Sequence, residues 1–310
     1  MISRLKLFDY LLAVIVINMP TNAYAQGPNA SLDWSIATSK IAYYPGEPVL
    51  LTLTIKNIGQ QEEKIDFGAD GIEAFSMEIH DSNKIVAKGD KIQRFGVSRI
   101  GTLALPSGQI AQKSIVLNQW CSTLLTPGQY HVICHIEYRL GSELQKQPDN
   151  RVLKAGPLHP IELGLDINII KMDISEFKKI ILKLNGGVVV TDVKTKENLV
   201  NRIIAREMLV FTESPAAVPY QLEILKNPVS TWLKWDAINS LVRSGTLEGT
   251  IGLMQIVSEN EGSPNRIEDV KRQIIDAVYR LRETGKPDIV KATDEFARKH
   301  ERPVLGKPAD

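Results

Sequence analysis

Apolar and polar residues alternate strictly in the first half of the chain. Within residues 49–55, the apolar side chains of Val49, Leu51, Leu53 and Ile55 share one face. The same alternation recurs at residues 75–79, 114–117, 130–136 and 161–169. Successive side chains of a strand point to opposite faces, so each segment predicts a strand with one buried face. About seven such strands between Ser31 and Lys171, separated by turn residues, predict an antiparallel β-sandwich.

The spacing of apolar residues becomes helical after Lys171. Phe177, Ile180, Ile181 and Leu184 recur at the spacing of one helix face. Asp173 is a suitable N-cap for this helix, and Glu176 completes a capping-box pattern. The pair Gly186-Gly187 then predicts the end of the helix. The change of period predicts a domain boundary at Met172.

A repeated pattern of paired helices follows. A shift of 32 positions places Ala205 on Ala237 and Leu209 on Leu241. A looser third copy contains Ala277 and Leu281. Small and large apolar residues that recur in this way are typical of stacked helix pairs.

The segment Ser214–Pro219, which leads to Leu222 and Leu225, carries a family resemblance. It resembles the second helix of a HEAT repeat. The resemblance implies an α-solenoid of HEAT-like helical pairs at residues 173–310. It also implies a non-enzymatic scaffold that binds other proteins.

The strand region carries a second resemblance, through the order of its turns. The sequence Tyr43–Val49 leads into a long strand, and the turns 105–109 and 125–130 follow. This order resembles bacterial immunoglobulin-like domains, including proteinase-inhibitor and macroglobulin-like types. It implies an immunoglobulin-like antiparallel β-sandwich at residues 26–172. The arrangement of tryptophan and cysteines found in antibody domains is absent from the sequence.

The N-terminal residues 1–25 have the pattern of a signal peptide. Arg4 and Lys6 precede the apolar run 11–17, and small residues at Ala23 and Ala25 suit cleavage. The run is shorter than the ~20 residues that span a bilayer. We therefore predict a periplasmic or secreted protein that begins at Gln26, without stable membrane insertion after cleavage.

Two cysteines, Cys121 and Cys134, flank a predicted turn. An oxidising compartment favours a disulfide between them, which would stabilise the fold by ~3 kcal/mol. Two buried free thiols are the alternative. Neither cysteine belongs to a CxxC motif, so a redox site is not indicated.

The composition and the motifs point away from catalysis and from nucleic acid. The chain has 37 Lys and Arg against 36 Asp and Glu, which provides no basic surface for nucleic acid. It contains no GxSxG, HExxH or P-loop motif. His131 and His135 share a strand face but are ~13 Å apart along it, too far for one metal ion. We therefore expect no enzyme activity, no cofactor and no metal.

Trp232 and Trp235 are the candidate partner-binding residues. They lie three positions apart on a predicted helix, beside the core stripe formed by Leu233, Ala237 and Leu241. Tryptophan is a frequent anchor at protein interfaces. The alternative is that both indoles pack inside the domain.

Three functions are compatible with these patterns. The first is an exported protein-binding scaffold that acts through the helical repeat surface and the sandwich loops. The second is a protease inhibitor or adhesin-like module that acts through the sandwich loops. The third is a hydrolase with an unrecognised site. We favour the scaffold, with a protein partner in the cell envelope or outside the cell.

Overall fold

The fold is known from a computed structural model, in which the chain divides into two units. It describes residues 23–26, 31–69, 73–82, 84–89, 100–121, 125–141, 145–146, 153–154, 157–188, 196–226, 231–259 and 268–303. The first, or strand unit, comprises Met1–Tyr43 and Val49–Ile170. The second, or helical unit, comprises Tyr44–Pro48 and Lys171–Asp310.

The strand unit contains thirteen strands among its described residues. They are β1 Ala23–Gln26, β2 Leu32–Thr38, β3 Ala42–Tyr43, β4 Leu50–Asn57, β5 Glu63–Ala69, β6 Phe75–Asp81, β7 Lys84–Gly89, β8 Ile100–Leu105, β9 Ile110–Val116, β10 Gly128–Leu140, β11 Gln145–Lys146, β12 Leu153–Lys154 and β13 His159–Ile169. One sheet has the order β1-β2-β4-β9. The other has the order β3-β13-β10-β5-β8, with β6 pairing with β10 and β7 pairing with β6. A separate hairpin joins β11 and β12.

The alternation in the sequence positions the core of the strand unit. Along β4 and β10, alternate side chains are buried, as a half-buried strand requires. Trp34 on β2, Met77 on β6 and Val132 on β10 belong to one buried cluster of apolar residues. The two sheets therefore bury their apolar faces in a common core.

The predicted all-antiparallel arrangement of the strands is wrong. β3 runs parallel to β13, with Ala42 opposite Asn168 and Tyr43 opposite Ile169. The sheet is therefore mixed. A strand of two residues is too short to show an alternation, so the apolar pattern of the sequence does not indicate β3 or its direction.

The helical unit contains seven α-helices among its described residues. They are α1 Ile174–Val188, α2 Lys196–Val210, α3 Val218–Lys226, α4 Thr231–Ser244, α5 Leu247–Glu259, α6 Glu268–Glu283 and α7 Pro287–Lys299. Asp173 caps α1 as predicted, because its carboxylate accepts the N–H groups of Ser175 and Glu176 at 2.9 and 3.1 Å. Gly245 and Gly285 follow α4 and α6 with φ of 55° and 71°. These left-handed conformations favour glycine and end both helices.

The predicted HEAT-like α-solenoid is also wrong. The described residues of the helical unit form seven α-helices of unequal length, from 9 residues in α3 to 16 in α6. A solenoid stacks units of constant length. The shift that brings Ala205 onto Ala237 does not bring Ala237 onto Ala277, so the helices do not follow one repeat.

The structure bears only in part on the predictions about the N-terminus and membranes. All but the last three residues of the predicted signal peptide lie outside the described residues, so export stays a prediction. Within the part of the chain that the structure describes, no helix is long and apolar enough to span a bilayer.

Candidate functional site

A groove of about 560 Å³ lies between α3 and α5 of the helical unit. Its apolar lining comes from Leu222, Leu247, Ile251 and Gly252. Its polar lining comes mainly from Glu223, Lys226, Glu248 and Gln255. We call this feature the α3–α5 groove.

The position of α3 depends on the buried side chain of Gln221. Its amide nitrogen, which carries two hydrogens, lies within hydrogen-bond distance of the carbonyl oxygens of Leu209, Val210 and Thr212, at 3.1, 3.3 and 2.9 Å. These carbonyls lie at and just beyond the end of α2, where a helix leaves its last acceptors without partners. The same nitrogen lies 3.1 Å from the hydroxyl of Ser240 on α4. The side chain of Gln221 thus connects α3 to the end of α2 and to α4.

The floor of the groove depends on Gly252. A Cβ atom at this position would lie 2.3 Å from Cδ1 of Leu222. The glycine therefore allows Leu222 of α3 to pack directly onto the backbone of α5. A larger residue would move Leu222 into the groove.

Apolar side chains in the groove remain accessible to solvent. Leu247 and Ile251, one turn apart on α5, are each 38% exposed. Leu253, Ile256 and Val257 on the same helix are buried. The helix is therefore apolar on two faces, one of which packs in the core while the other lines the groove.

The rim of the groove is mainly acidic. Glu223 and Glu248 place two carboxylates beside the apolar floor. Lys226 lies 3.7 Å from Glu259, and both side chains are about half exposed. An exposed ion pair of this kind stabilises the fold by at most ~1 kcal/mol. The ion pair does, however, engage Lys226, the lysine that lines the groove.

The sequence-based candidates Trp232 and Trp235 do not line the α3–α5 groove. Trp235 is half-buried on α4, and the side chain of Trp232 lies outside the described residues. Ala237 and Leu241 are fully buried, whereas Leu233 is only half-buried. Contact of either tryptophan with a partner stays a prediction.

The sequence did not predict the groove, because Leu222 stood out only as part of the HEAT-like segment. A usable signal was present in α5. Leu247 and Ile251 are spaced by one turn and fall outside the stripe formed by Leu253, Ile256 and Val257. An apolar pair off the core stripe indicates a second apolar face.

Cys121 and Cys134 are both buried and both free in the structure, and no disulfide joins these two described residues. The predicted bridge is therefore not formed. The Cys121 thiol is directed toward the carbonyl oxygen of Met77, 3.9 Å from Sγ. Burial raises the pKa of each thiol to about 12. The unreactive thiol form therefore dominates at neutral pH.

A row of histidines and carboxylates covers the outer face of β6, β10 and β13. Nδ1 of His131 lies 2.7 Å from Asp166, and Nδ1 of His135 lies 3.4 Å from Glu162. On β6, Nε2 of His80 lies 3.1 Å from the carboxylate of Glu78. We call these residues the histidine–carboxylate row. Among the described residues, no three histidine, cysteine or acidic side chains are arranged to hold a metal ion.

Glu78 is the most constrained carboxylate of the row. Lys88 donates to it at 2.9 Å, and His80 lies on its other oxygen. The hydrogen bond from Lys88, followed by that from His80, holds the pKa of Glu78 below its usual value. The carboxylate is therefore charged at neutral pH and joins β6 to β7.

Comparisons with known proteins show no family. No family model and no curated protein matches the chain. Among solved structures, Northeast Structural Genomics Consortium target SoR45 is 17% identical, with 47% of this chain and 90% of that chain covered and a TM-score of 0.26. Spo0M, a sporulation control protein from Bacillus subtilis, is 15% identical, with 51% and 56% covered and a TM-score of 0.25. The CARDB domain of PF1109 from Pyrococcus furiosus is 9% identical, with 45% and 94% covered and a TM-score of 0.19.

These similarities are too low to carry an argument about this chain. Spo0M is matched over only 56% of its own length, and each match covers about half of this chain. The function must therefore be argued from the residues of the chain itself.

Proposed function

We propose that this protein is a non-enzymatic scaffold that binds an amphipathic helix of a protein partner in the α3–α5 groove. The observation that carries the proposal is the exposed apolar pair Leu247 and Ile251 above a floor formed by Leu222 and Gly252. Exposed apolar surface with a polar rim is typical of protein interaction sites. A groove between two helices suits the apolar face of a third helix.

The size and the lining of the groove support a peptide ligand. A volume of about 560 Å³ has room for a few aliphatic side chains. Side chains at positions i, i+3 or i+4 and i+7 of a bound helix would contact the floor. The lining contains no histidine, serine or cysteine, so the groove offers no activated nucleophile of the usual types.

The charges at the rim define the kind of helix. The lining contains the two carboxylates of Glu223 and Glu248 and one lysine, Lys226, so its net charge is negative. A partner with lysine or arginine beside its apolar residues therefore complements the rim. Such complementarity adds mainly to the rate and the specificity of association.

The N-terminal sequence adds a proposal about location. Its charged start, short apolar run and small residues at the cleavage site support export to the periplasm or out of the cell. The partner would then belong to the cell envelope or the extracellular medium.

Selection of helical peptides on the immobilised full chain tests the proposal. The library should vary both the apolar and the charged positions, and counter-selection should use the Ile251→Arg variant. We expect enriched peptides with aliphatic residues at helical spacing and basic flanking residues. Their affinity for Ile251→Arg should be at least about tenfold lower, because a charge would be buried against an apolar side chain.

The Leu182→Arg variant is the matched control. Leu182 is an exposed aliphatic residue on α1, outside the groove. Peptide binding should be unchanged in this variant. Enriched peptides that bind Ile251→Arg as well as the unmodified chain, or that carry acidic flanks, would contradict the proposal.

A further inference from the structure

Two neighbouring arginines on α2 lack the partners that arginines elsewhere in the helical unit have. Arg202 and Arg206 lie one helical turn apart, so their side chains share one face of the helix. Both side chains are partly buried. The Nε atom of each is buried without a hydrogen-bond partner among the described residues.

Three other arginines of the helical unit are paired with carboxylates. Nε of Arg243 lies 3.2 Å from Glu213, and an NH group of Arg282 lies 2.7 Å from Asp294. Nε of Arg302 lies 3.1 Å from Asp276. Each of these three arginines thus has a carboxylate within ion-pair distance, unlike Nε of Arg202 and of Arg206.

Two acidic residues near the pair in sequence, Glu207 and Glu213, lie on another face or have another partner. Glu207 follows Arg206 directly, so it lies on a different face of α2. Glu213 lies beyond the end of the helix and is paired with Arg243. Within the described part of the chain, neither Nε atom has a carboxylate or any other acceptor within hydrogen-bond distance.

This arrangement is unfavourable as long as nothing binds there. Like charges one turn apart repel each other, and buried donors without acceptors destabilise the folded state. Burial, and then the charge of Arg202, hold the pKa of Arg206 below its usual value. The site is therefore positive, partly dehydrated and short of hydrogen-bond acceptors.

We propose that Arg202 and Arg206 form a binding site for a phosphate group. A phosphate monoester carries a charge near −2, which balances two guanidinium groups, and several acceptor oxygens for their N–H donors. Arginine is suited to this ligand because its planar group donates two parallel hydrogen bonds. The group is supplied either by a small phosphate compound or by a phosphorylated side chain of a protein partner. The site lies on α2 and does not depend on the α3–α5 groove.

Thermal unfolding of the full chain with inorganic phosphate tests the site. Sodium chloride of equal ionic strength serves as the reference, because nonspecific screening affects both salts alike. Millimolar phosphate should raise the melting temperature above the value in sodium chloride, and the increase should grow with the phosphate concentration. Either Arg202→Gln or Arg206→Gln should weaken phosphate binding about tenfold or more, since each removes charge-assisted hydrogen bonds.

The control variant is Arg298→Gln, which removes one positive charge from an exposed position on α7. Its response to phosphate should equal that of the unmodified chain. Arg206→Lys retains the charge but loses the planar fork, and should bind phosphate with intermediate affinity. This variant also keeps the test valid should the glutamine variants fail to fold.

Two further measurements separate a binding site from a structural role. Without phosphate, Arg206→Gln should melt at or above the temperature of the unmodified chain, because the repulsion is removed. A helical peptide with one phosphoserine, compared with its unphosphorylated form, distinguishes a protein source from inorganic phosphate. Tighter binding of the phosphopeptide than of phosphate indicates the protein source, and equal or weaker binding the small compound.

The proposal would be overturned by either of two results. One is an unmodified chain whose melting temperature is the same in phosphate and chloride. The other is a phosphate response that persists in both glutamine variants and in the control. Loss of stability of Arg206→Gln without ligand would assign the arginine a structural role instead.

Discussion

The amide nitrogen of Gln221 donates to the carbonyl oxygen of Thr212 at 2.9 Å, from a side chain that is fully buried. It thereby satisfies an acceptor that follows α2 and holds α3 at a defined distance from it. Because α3 forms one wall of the groove, this polar contact in the core positions the proposed binding surface. The contacts of the amide nitrogen favour one arrangement of the helices around it, whereas Oε1 of the same side chain is buried without a hydrogen-bond partner among the described residues.

Replacement of Gln221 by leucine should destabilise the helical unit. The change removes this donor from the carbonyls of Val210 and Thr212, whereas the carbonyl of Leu209 keeps the N–H of Thr212. The free energy of unfolding should therefore fall by about 1–2 kcal/mol. Urea denaturation followed by circular dichroism measures the effect. Gln255→Leu, at an exposed position on α5, should stay within about 0.5 kcal/mol of the unmodified chain. Equal stability of the two variants would contradict the role of Gln221.

Replacement of Gly252 by alanine should close part of the groove. The added Cβ displaces the end of the Leu222 side chain, from which it would otherwise be 2.3 Å away. Because that side chain is flexible, and alanine favours the helix by about 1 kcal/mol, stability should change little. Binding of a selected peptide should weaken several-fold, as measured by calorimetry.

Gly186→Ala is the matched control for Gly252→Ala. Gly186 also lies in a helix, but a Cβ there would meet nothing within 4 Å. The control should stabilise the protein by up to about 1 kcal/mol and leave peptide binding unchanged. A peptide affinity that is the same in both variants would show that Leu222 does not form the floor.

The two cysteines should resist alkylation in the folded protein. Burial raises the pKa of both thiols to about 12 and shields them from reagents. Iodoacetamide at pH 8 should therefore add no label to the native chain. Unfolding without reductant should allow two labels, counted by mass spectrometry. An unfolded, unreduced chain without any label would instead indicate a disulfide.

Stability at acidic pH should depend on Glu78. Its pKa is lower in the folded state than in the unfolded chain, so the folded state is favoured above the unfolded pKa. This contribution is lost as the pH falls through the folded pKa. Glu78→Gln should therefore lose less stability than the unmodified chain between about pH 5 and pH 3.

The control for Glu78 is Glu62→Gln at an exposed position. Its acid unfolding curve should follow that of the unmodified chain. If Glu78→Gln and the unmodified chain showed the same pH dependence, the hydrogen bonds from Lys88 and His80 would not stabilise the charged carboxylate.

The sequence by itself determined features that depend on neighbouring residues. Alternation along β4 and β10 set which side chains enter the core, since strand geometry places every second residue on one face. The cap at Asp173 was also predicted from the sequence, because a cap involves residues within a few positions of each other.

The tertiary structure decided the features that join distant parts of the chain. The parallel pairing of β3 with β13 brings Tyr43 to Ile169, and no local pattern specifies that choice. The α3–α5 groove requires Leu222 to meet Gly252, and the fastening of α3 requires Gln221 to reach Thr212. The choice between a disulfide and two free thiols is of the same kind, because spacing along the chain does not determine the distance or the direction between two thiols. The structure shows Cys121 and Cys134 free and buried, which is the second of the two alternatives. Apolar periodicity records which face of an element is buried, whereas the packing of side chains against distant elements decides what covers that face.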